Sequence, residues 1–134
     1  MGGLLEVTRN QMEEIAKSNV DCAFKVHSTL GPGLLESVYQ LCLTHDLNKQ
    51  GYAVRTEVAL PVTYDGVCIE AGYRIDMLVE KCIIIENKTV EAILPVHQMQ
   101  LLTYLRLSQL KLGFLINWRT SLIKNGIQRI VNGL

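Results

Sequence analysis

The sequence predicts a single α+β domain over residues 1–134, a central mixed sheet flanked by helices. Three observations carry that expectation. Apolar residues recur at helical spacing as far as Lys49, the period shortens to two from Tyr52, and a further helical stretch opens at Pro95 between apolar strand-like runs. That order sets helices against a sheet. Hydrophobic residues make up 49% of the chain and charged ones 19%, a balance that suits a globular core and excludes a disordered chain.

The first 30 residues read as a helix. Thr8-Arg9-Asn10 offers capping oxygens, Glu13 and Glu14 suit the positive end of the helix dipole, and Ile15, Ala23, Val26 and Leu30 are expected to face the core. Gly31-Pro32-Gly33 stops the helix and turns the chain. A second helix is expected from about Leu34 to Lys49, with Leu34, Leu35, Val38, Leu41, Cys42 and Leu43 on its apolar side and Gly51 ending it.

Strands follow. Residues 53–60 are strand-like, and Pro61 sets their end at an edge or turn. Val62-Thr63-Tyr64, Asp65-Gly66 and Val67-Cys68-Ile69 give a strong hairpin signal. Residues 72–79 and 82–88 are apolar, β-branched runs separated by Glu80-Lys81, and read as paired neighbours. Pro95 opens a third helix with Met99, Leu102, Leu105 and the stem of Arg106 expected inward. Leu112–Asn117 is a short buried strand, and Ile127–Val131 a last one.

Charge is balanced overall but not along the chain. Residues 1–70 carry five Lys/Arg against nine Asp/Glu, and residues 71–134 carry eight against four, a swing from −4 to +4. The later half can therefore offer a moderate basic surface to a phosphate backbone, or simply ordinary solvated side chains. No apolar run approaches the roughly 20 residues of a membrane helix. Met1-Gly2-Gly3-Leu4-Leu5-Glu6 has no basic region or apolar signal core, so a cytoplasmic protein is expected. Cys22, Cys42, Cys68 and Cys82 are widely spaced with mostly apolar neighbours, which favours buried free thiols over a zinc site.

The chemistry concentrates at Asp76 and at Glu86-Asn87-Lys88. Side chains alternate on a strand, so Glu86 and Lys88 share a face, and Asp76 on the partner strand can reach the same spot. Charged groups beside an Ile-rich run are costly to bury alone and must be paired, hydrated or bound to something. Two carboxylates and an ammonium converging on a sheet suit a divalent metal beside a positioned water. A structural ion pair at the sheet's end is the alternative.

Four motifs in order then resemble the GxxExxY proteins, a bacterial and archaeal group within the PD-(D/E)XK nuclease superfamily. They are Gly33-Leu34-Leu35-Glu36-Ser37-Val38-Tyr39, Arg74-Ile75-Asp76-Met77-Leu78-Val79, Ile85-Glu86-Asn87-Lys88, and the run His97 to Leu105 containing Gln100 and Tyr104. The resemblance spans about Asn10 to Val131. It implies a restriction-endonuclease-like αβββαβ core, with Glu36 on the first core helix, Asp76 and Glu86 as metal ligands, Lys88 beside the attacking water, and Gln100 on the following helix. The superfamily includes restriction enzymes, recombination exonucleases, resolvases and repair nucleases.

Phosphodiester hydrolysis needs an attacking hydroxide and relief of charge on phosphorus, which Mg²⁺ or Mn²⁺ held by oxygen ligands supplies. Asp76 and Glu86 offer hard anionic oxygens, the Asn87 backbone carbonyl another, and Glu36 a fourth, directly or through water. Lys88 can orient the nucleophile or stabilise developing charge.

Weaker candidates surround this set. Gln100 can hydrogen-bond Lys88 or a phosphate, and His97 can bind phosphate or cap its helix. Tyr104 can brace the site or join the core. Arg74 can contact phosphate or ion-pair with Asp76. Tyr39 can fix Glu36 or simply pack. Trp118 and Arg119 can stack on a base, or Trp118 can anchor packing. His27 and His45 lack metal-ligand spacing and read as structural or surface groups. The leading expectation is a metal-dependent nuclease acting on DNA in preference to RNA, with a homodimer as one way to extend its reach. The competing one is a catalytically inactive or partner-dependent nucleic-acid-binding module of the same fold.

Overall fold

A computed structural model describes residues 7–134, so the expectation for the first six residues lies outside the described part. Two helices, α1 (Arg9–Leu30) and α2 (Glu36–Lys49), lead into β1 (Val54–Ala59). A small hairpin, β2 (Val62–Tyr64) and β3 (Val67–Ile69), precedes β4 (Arg74–Val79) and β5 (Ile83–Lys88). Then come α3 (Pro95–Ser108), β6 (Leu112–Asn117), a 3₁₀ turn at Ile123–Asn125 and β7 (Ile127–Val131). The main sheet is five-stranded in the order β1-β4-β5-β6-β7, and β2-β3 form a separate two-stranded sheet. The result is the mixed α+β architecture that the sequence predicts, with the αβββαβ order running from α2 through β1, β4, β5 and α3 to β6.

Local chemistry sets the element ends. Thr8 caps α1 in a capping box: its hydroxyl accepts from Gln11 N (3.1 Å), and the Gln11 side chain accepts from Thr8 N (2.8 Å). Glu13 and Glu14 therefore fall just beyond the first turn, correcting their expected place. Asp65 and Gly66, at φ 50° and 74°, make the left-handed pair that a two-residue hairpin turn demands. Glu80 and Lys81, at φ 50° and 56°, are also left-handed, in the three-residue turn between Val79 and Ile83 that joins β4 to β5.

The sheet separates two cores. On one face, α1 and α2 bury Ile15, Ala23, Val26, Tyr39, Leu43 and Leu47 against Met77, Ile83, Ile85 and Phe114. On the other, α3 sets Leu101, Tyr104 and Leu105 over Ile84 and Leu115. Strands β5 and β6 pair in parallel, a geometry that needs a long crossover, and α3 provides it.

Several inward assignments are corrected. Leu34, Leu35 and Leu41 are exposed, and α2 buries Tyr39, Leu43 and Leu47, one stripe at four-residue spacing. Leu30, Met99 and Arg106 also face solvent; Leu101, not Met99, fills the groove under α3. Among the cysteines only Cys22 is buried, and Cys68 is exposed.

Gly113 explains how closely α3 approaches. A Cβ there would lie 3.0 Å from the Leu101 side chain and 3.1 Å from the Ile84 carbonyl oxygen. Gly113→Ala is expected to lower stability by about 1–3 kcal/mol through overpacking, read as a lower midpoint in urea denaturation.

Candidate active site

Strands β4 and β5 pair through Val79↔Ile83, Leu78↔Ile84 and Met77↔Ile85, and then the ladder stops. Asp76 and Glu86 stand next in line. Their carboxylates bridge the two strands reciprocally: Asp76 N donates to Glu86 Oε2 (2.8 Å), and Asn87 N, left without a ladder partner on β4, donates to Asp76 Oδ2 (2.8 Å). Each acid is thus held by the opposite strand's backbone, and each keeps one oxygen, Oδ1 or Oε1, outside these bonds. Lys88 O accepts from Trp118 N (2.9 Å) on the β6 side. Backbone groups alternate in direction along a strand, so the Asn87 carbonyl faces the gap towards β4.

Two acids in one half-dry gap repel. Burial first, and then Asp76, push the Glu86 carboxyl up to about 8, against the pull of the Asp76 N–H and Lys88. Asp76 is also raised, by burial and by Glu57, although the Asn87 N–H and Lys88 oppose this. Glu36, at the exposed start of α2, is raised by the protein around it and by Asp76, with Lys88 pulling the other way. Glu86, only 4% exposed, is the most deeply buried of these acids, and burial accounts for the largest part of its rise.

Glu36 and Asp76 line one cavity of about 600 Å³, together with Gln40, Thr56 and Glu57. Glu57 is absent from the sequence-based site. It lies opposite Asp76 in the β1–β4 register, between the Thr56↔Met77 and Val58↔Ile75 pairs, and adopts φ 52°. A left-handed glutamate in a strand is strained, and its charge reaches Asp76, Glu86 and Glu36. In the sequence Glu57 looks like any solvent-facing strand acid; only register and backbone conformation single it out.

A family model described as the PD-(D/E)XK nuclease superfamily matches residues 13–130. The chain belongs to the PD-(D/E)XK nuclease superfamily. No curated protein and no solved structure matched it. PD-(D/E)XK nucleases generally use divalent metal ions, and the donor chemistry here suits a hard cation. Both carboxyls are raised first by burial and then by a neighbouring acid, Asp76 for Glu86 and Glu57 for Asp76, and a cation would offset both causes. Among the described residues, no three His, Cys, Asp or Glu side chains are gathered tightly enough to hold an ion as they stand. Nor is any helix among them long and apolar enough to cross a membrane.

The outer candidates of this PD-(D/E)XK chain divide. Lys88 is half-buried, and its charge is felt by Glu36, Asp76 and Glu86, but among the described residues it makes no ion pair within 4.0 Å. Tyr104 is buried against α3's core and tilts against Tyr73 at 6.1 Å; burial, then Glu86 and Asp76, raise its hydroxyl. Core and site thus share it. Gln100, one turn earlier, is exposed and makes no hydrogen bond to Lys88.

Other side chains take structural work. His97 Nδ1 accepts from Leu94 N (2.9 Å), so this histidine caps α3. Arg74 donates to the Glu57 carbonyl (3.4 Å) and forms no ion pair with Asp76. Tyr39 does not hold Glu36; its hydroxyl donates to Gly31 O and accepts from Leu34 N, clamping the turn before α2. Trp118 is fully buried and stacked on Tyr39 at 4.8 Å, which removes it as a base-stacking platform. His27 Nε2 bonds Thr120 O (2.8 Å) and is structural, and His45 lies at the surface.

The raised Glu86 carboxyl makes stability depend on pH. Between the unfolded value near 4.5 and the folded value near 8, the native state binds more protons than the unfolded one. Stability is therefore fully present below the lower value and is lost as pH rises towards the upper. In EDTA the Tm is expected to fall between pH 5 and pH 8, by on the order of 5 °C, and Glu86→Gln is expected to flatten that slope in calorimetric scans. Glu57→Asn, which tolerates the left-handed backbone and removes a repelling charge, is expected to stabilise the fold by about 1 kcal/mol in urea denaturation.

Proposed function

We propose that this PD-(D/E)XK chain is a Mg²⁺- or Mn²⁺-dependent nuclease that hydrolyses phosphodiester bonds in DNA through Asp76, Glu86 and Lys88. Superfamily membership points to nuclease-type chemistry. The observation that carries the finer reading is the reciprocal hold on Asp76 and Glu86 where β4 and β5 part. It fixes Asp76 at the wall of the cavity that Glu36 also lines, with the buried Glu86 bonded directly behind it. DNA is favoured because the restriction, recombination and repair enzymes of the superfamily act on it. Within the superfamily, the run Gly33 to Tyr39 supports placement among the GxxExxY proteins.

Each residue's part follows from its position. A bound divalent cation supplies Lewis acidity that makes water more acidic and offsets phosphate charge. Asp76 Oδ1, Glu86 Oε1 and the Asn87 carbonyl would hold it, with Glu36 reaching across the cavity directly or through water. Lys88, on the Glu86 face of β5, presents its ammonium to a phosphate oxygen or to the attacking water. Hydroxide attack on phosphorus expels the 3′ or 5′ oxygen, which takes up a proton. Gln100 stands above Tyr104 on α3, at a spacing that puts both on one side of the helix, and suits contact with the substrate backbone.

A partner-dependent or inactive binding module is the second reading. It is favoured by the lack, among the described residues, of three acids gathered tightly enough for a ready-made metal cage. The two readings separate on single- and double-stranded DNA incubated with Mg²⁺, Mn²⁺ or EDTA. The nuclease reading expects metal-dependent products, and a loss of at least roughly 100-fold in rate for Asp76→Ala and for Lys88→Ala, each with an unchanged circular dichroism spectrum. Metal-independent cleavage that persists in both variants would refute it, and salt-sensitive DNA binding without products would favour the module.

A further inference from the structure

Asn87 lies between two candidate site residues but sends its side chain to the other face of the sheet. It is fully buried on the face of β5 that it shares with Ile83 and Ile85, where an unsatisfied amide would be costly. Its carbonyl Oδ1 accepts from the Trp118 indole N–H (2.9 Å), and its Nδ2 donates to Gln40 Oε1 (3.3 Å) and to the Met77 sulfur (3.3 Å). Trp118 stacks on Tyr39 with the rings only 4° from parallel. Tyr39 in turn clamps the Gly31–Leu34 turn from which α2 and Glu36 emerge.

We propose that Asn87 and Trp118 are positioning residues that lock the β5 end of the site to the helix carrying Glu36. The inference rests on the nuclease reading for its purpose, but not for its geometry. The node is the Asn87 backbone: the residue whose N–H holds Asp76 Oδ2 is itself gripped by side-chain bonds on the opposite face. Strand β4 gives this stretch no ladder support beyond Met77↔Ile85, so the Asn87 side chain substitutes for it. Gln40 and Trp118 reach the amide from α2 and from the end of β6, so both elements hold one point. Apolar packing alone would fill the space without setting the strand's depth or rotation, whereas directional hydrogen bonds fix both.

Amide hydrogen exchange, followed by NMR on the metal-free protein, tests this in Asn87→Leu and in Trp118→Phe. The first keeps the branched shape without polar atoms; the second keeps an aromatic ring on Tyr39 but removes the N–H donor. Protection at the Asp76 and Asn87 amides is expected to fall about tenfold or more in both variants, while Leu78 and Ile84 in the adjoining ladder change less than about threefold. Equal changes at all four amides would show a merely structural role and overturn the proposal, as would unchanged protection at Asp76 and Asn87. If Asn87→Leu fails to fold, Trp118→Phe decides alone. Calorimetric Mn²⁺ titration of the same proteins reads the purpose separately: a Kd weakened about tenfold in the variants supports the positioning role at a metal site. Wild-type protein that binds no Mn²⁺ counts against the nuclease reading, and leaves the lock to be judged by the exchange pattern.

Discussion

Two carboxylates bonded reciprocally to each other's strands, where β4 and β5 part, are the constraint around which this fold is arranged. A sheet whose strands part inside a protein must give the freed N–H groups new acceptors. Here Asp76 accepts from the freed Asn87 N–H, and Glu86 accepts in turn from Asp76 N. The arrangement satisfies the backbone but concentrates like charge where water is scarce, and the raised carboxyls are the consequence. Stability and candidate chemistry therefore pull against each other at one point.

The remaining elements hold that point from three sides. Beneath it, Asn87, Trp118 and Tyr39 tie β5 to the turn before α2. Beyond it, Asn117 accepts from Val90 N (3.1 Å) and donates to Val90 O (2.8 Å), which fixes the chain as it leaves β5. On the far face α3 sits close over Gly113 and brings Tyr104 within reach of both acids. Glu57 adds a fourth acidic side chain, beside Glu36, Asp76 and Glu86, on a strained backbone. Strain and crowded acids at one rim, with tight packing behind it, support the proposed cation site.

Much of this was legible in the sequence. The seven strands, three helices and their order follow from period changes and turn residues, and the spacing of Asp76, Glu86 and Lys88 predicts a shared face. The face of α2 did not follow. Apolar residues occur all round that helix, so periodicity selects no side, and the choice falls to Tyr39 stacking on a tryptophan 79 positions away. For the same reason Trp118 reads equally as a surface platform or a buried anchor until its partner is known. Glu57 and the Asn87 side chain were hidden for a different reason: their roles depend on cross-strand register and on which way a strand's far face points.

Anomalous diffraction from crystals soaked in Mn²⁺ tests the central claim most directly. The account predicts a peak in the gap between β4 and β5, ligated at about 2.1–2.3 Å by Asp76, Glu86 and the Asn87 carbonyl oxygen. A peak bound elsewhere, or an empty gap beside saturated solvent Mn²⁺, would contradict it.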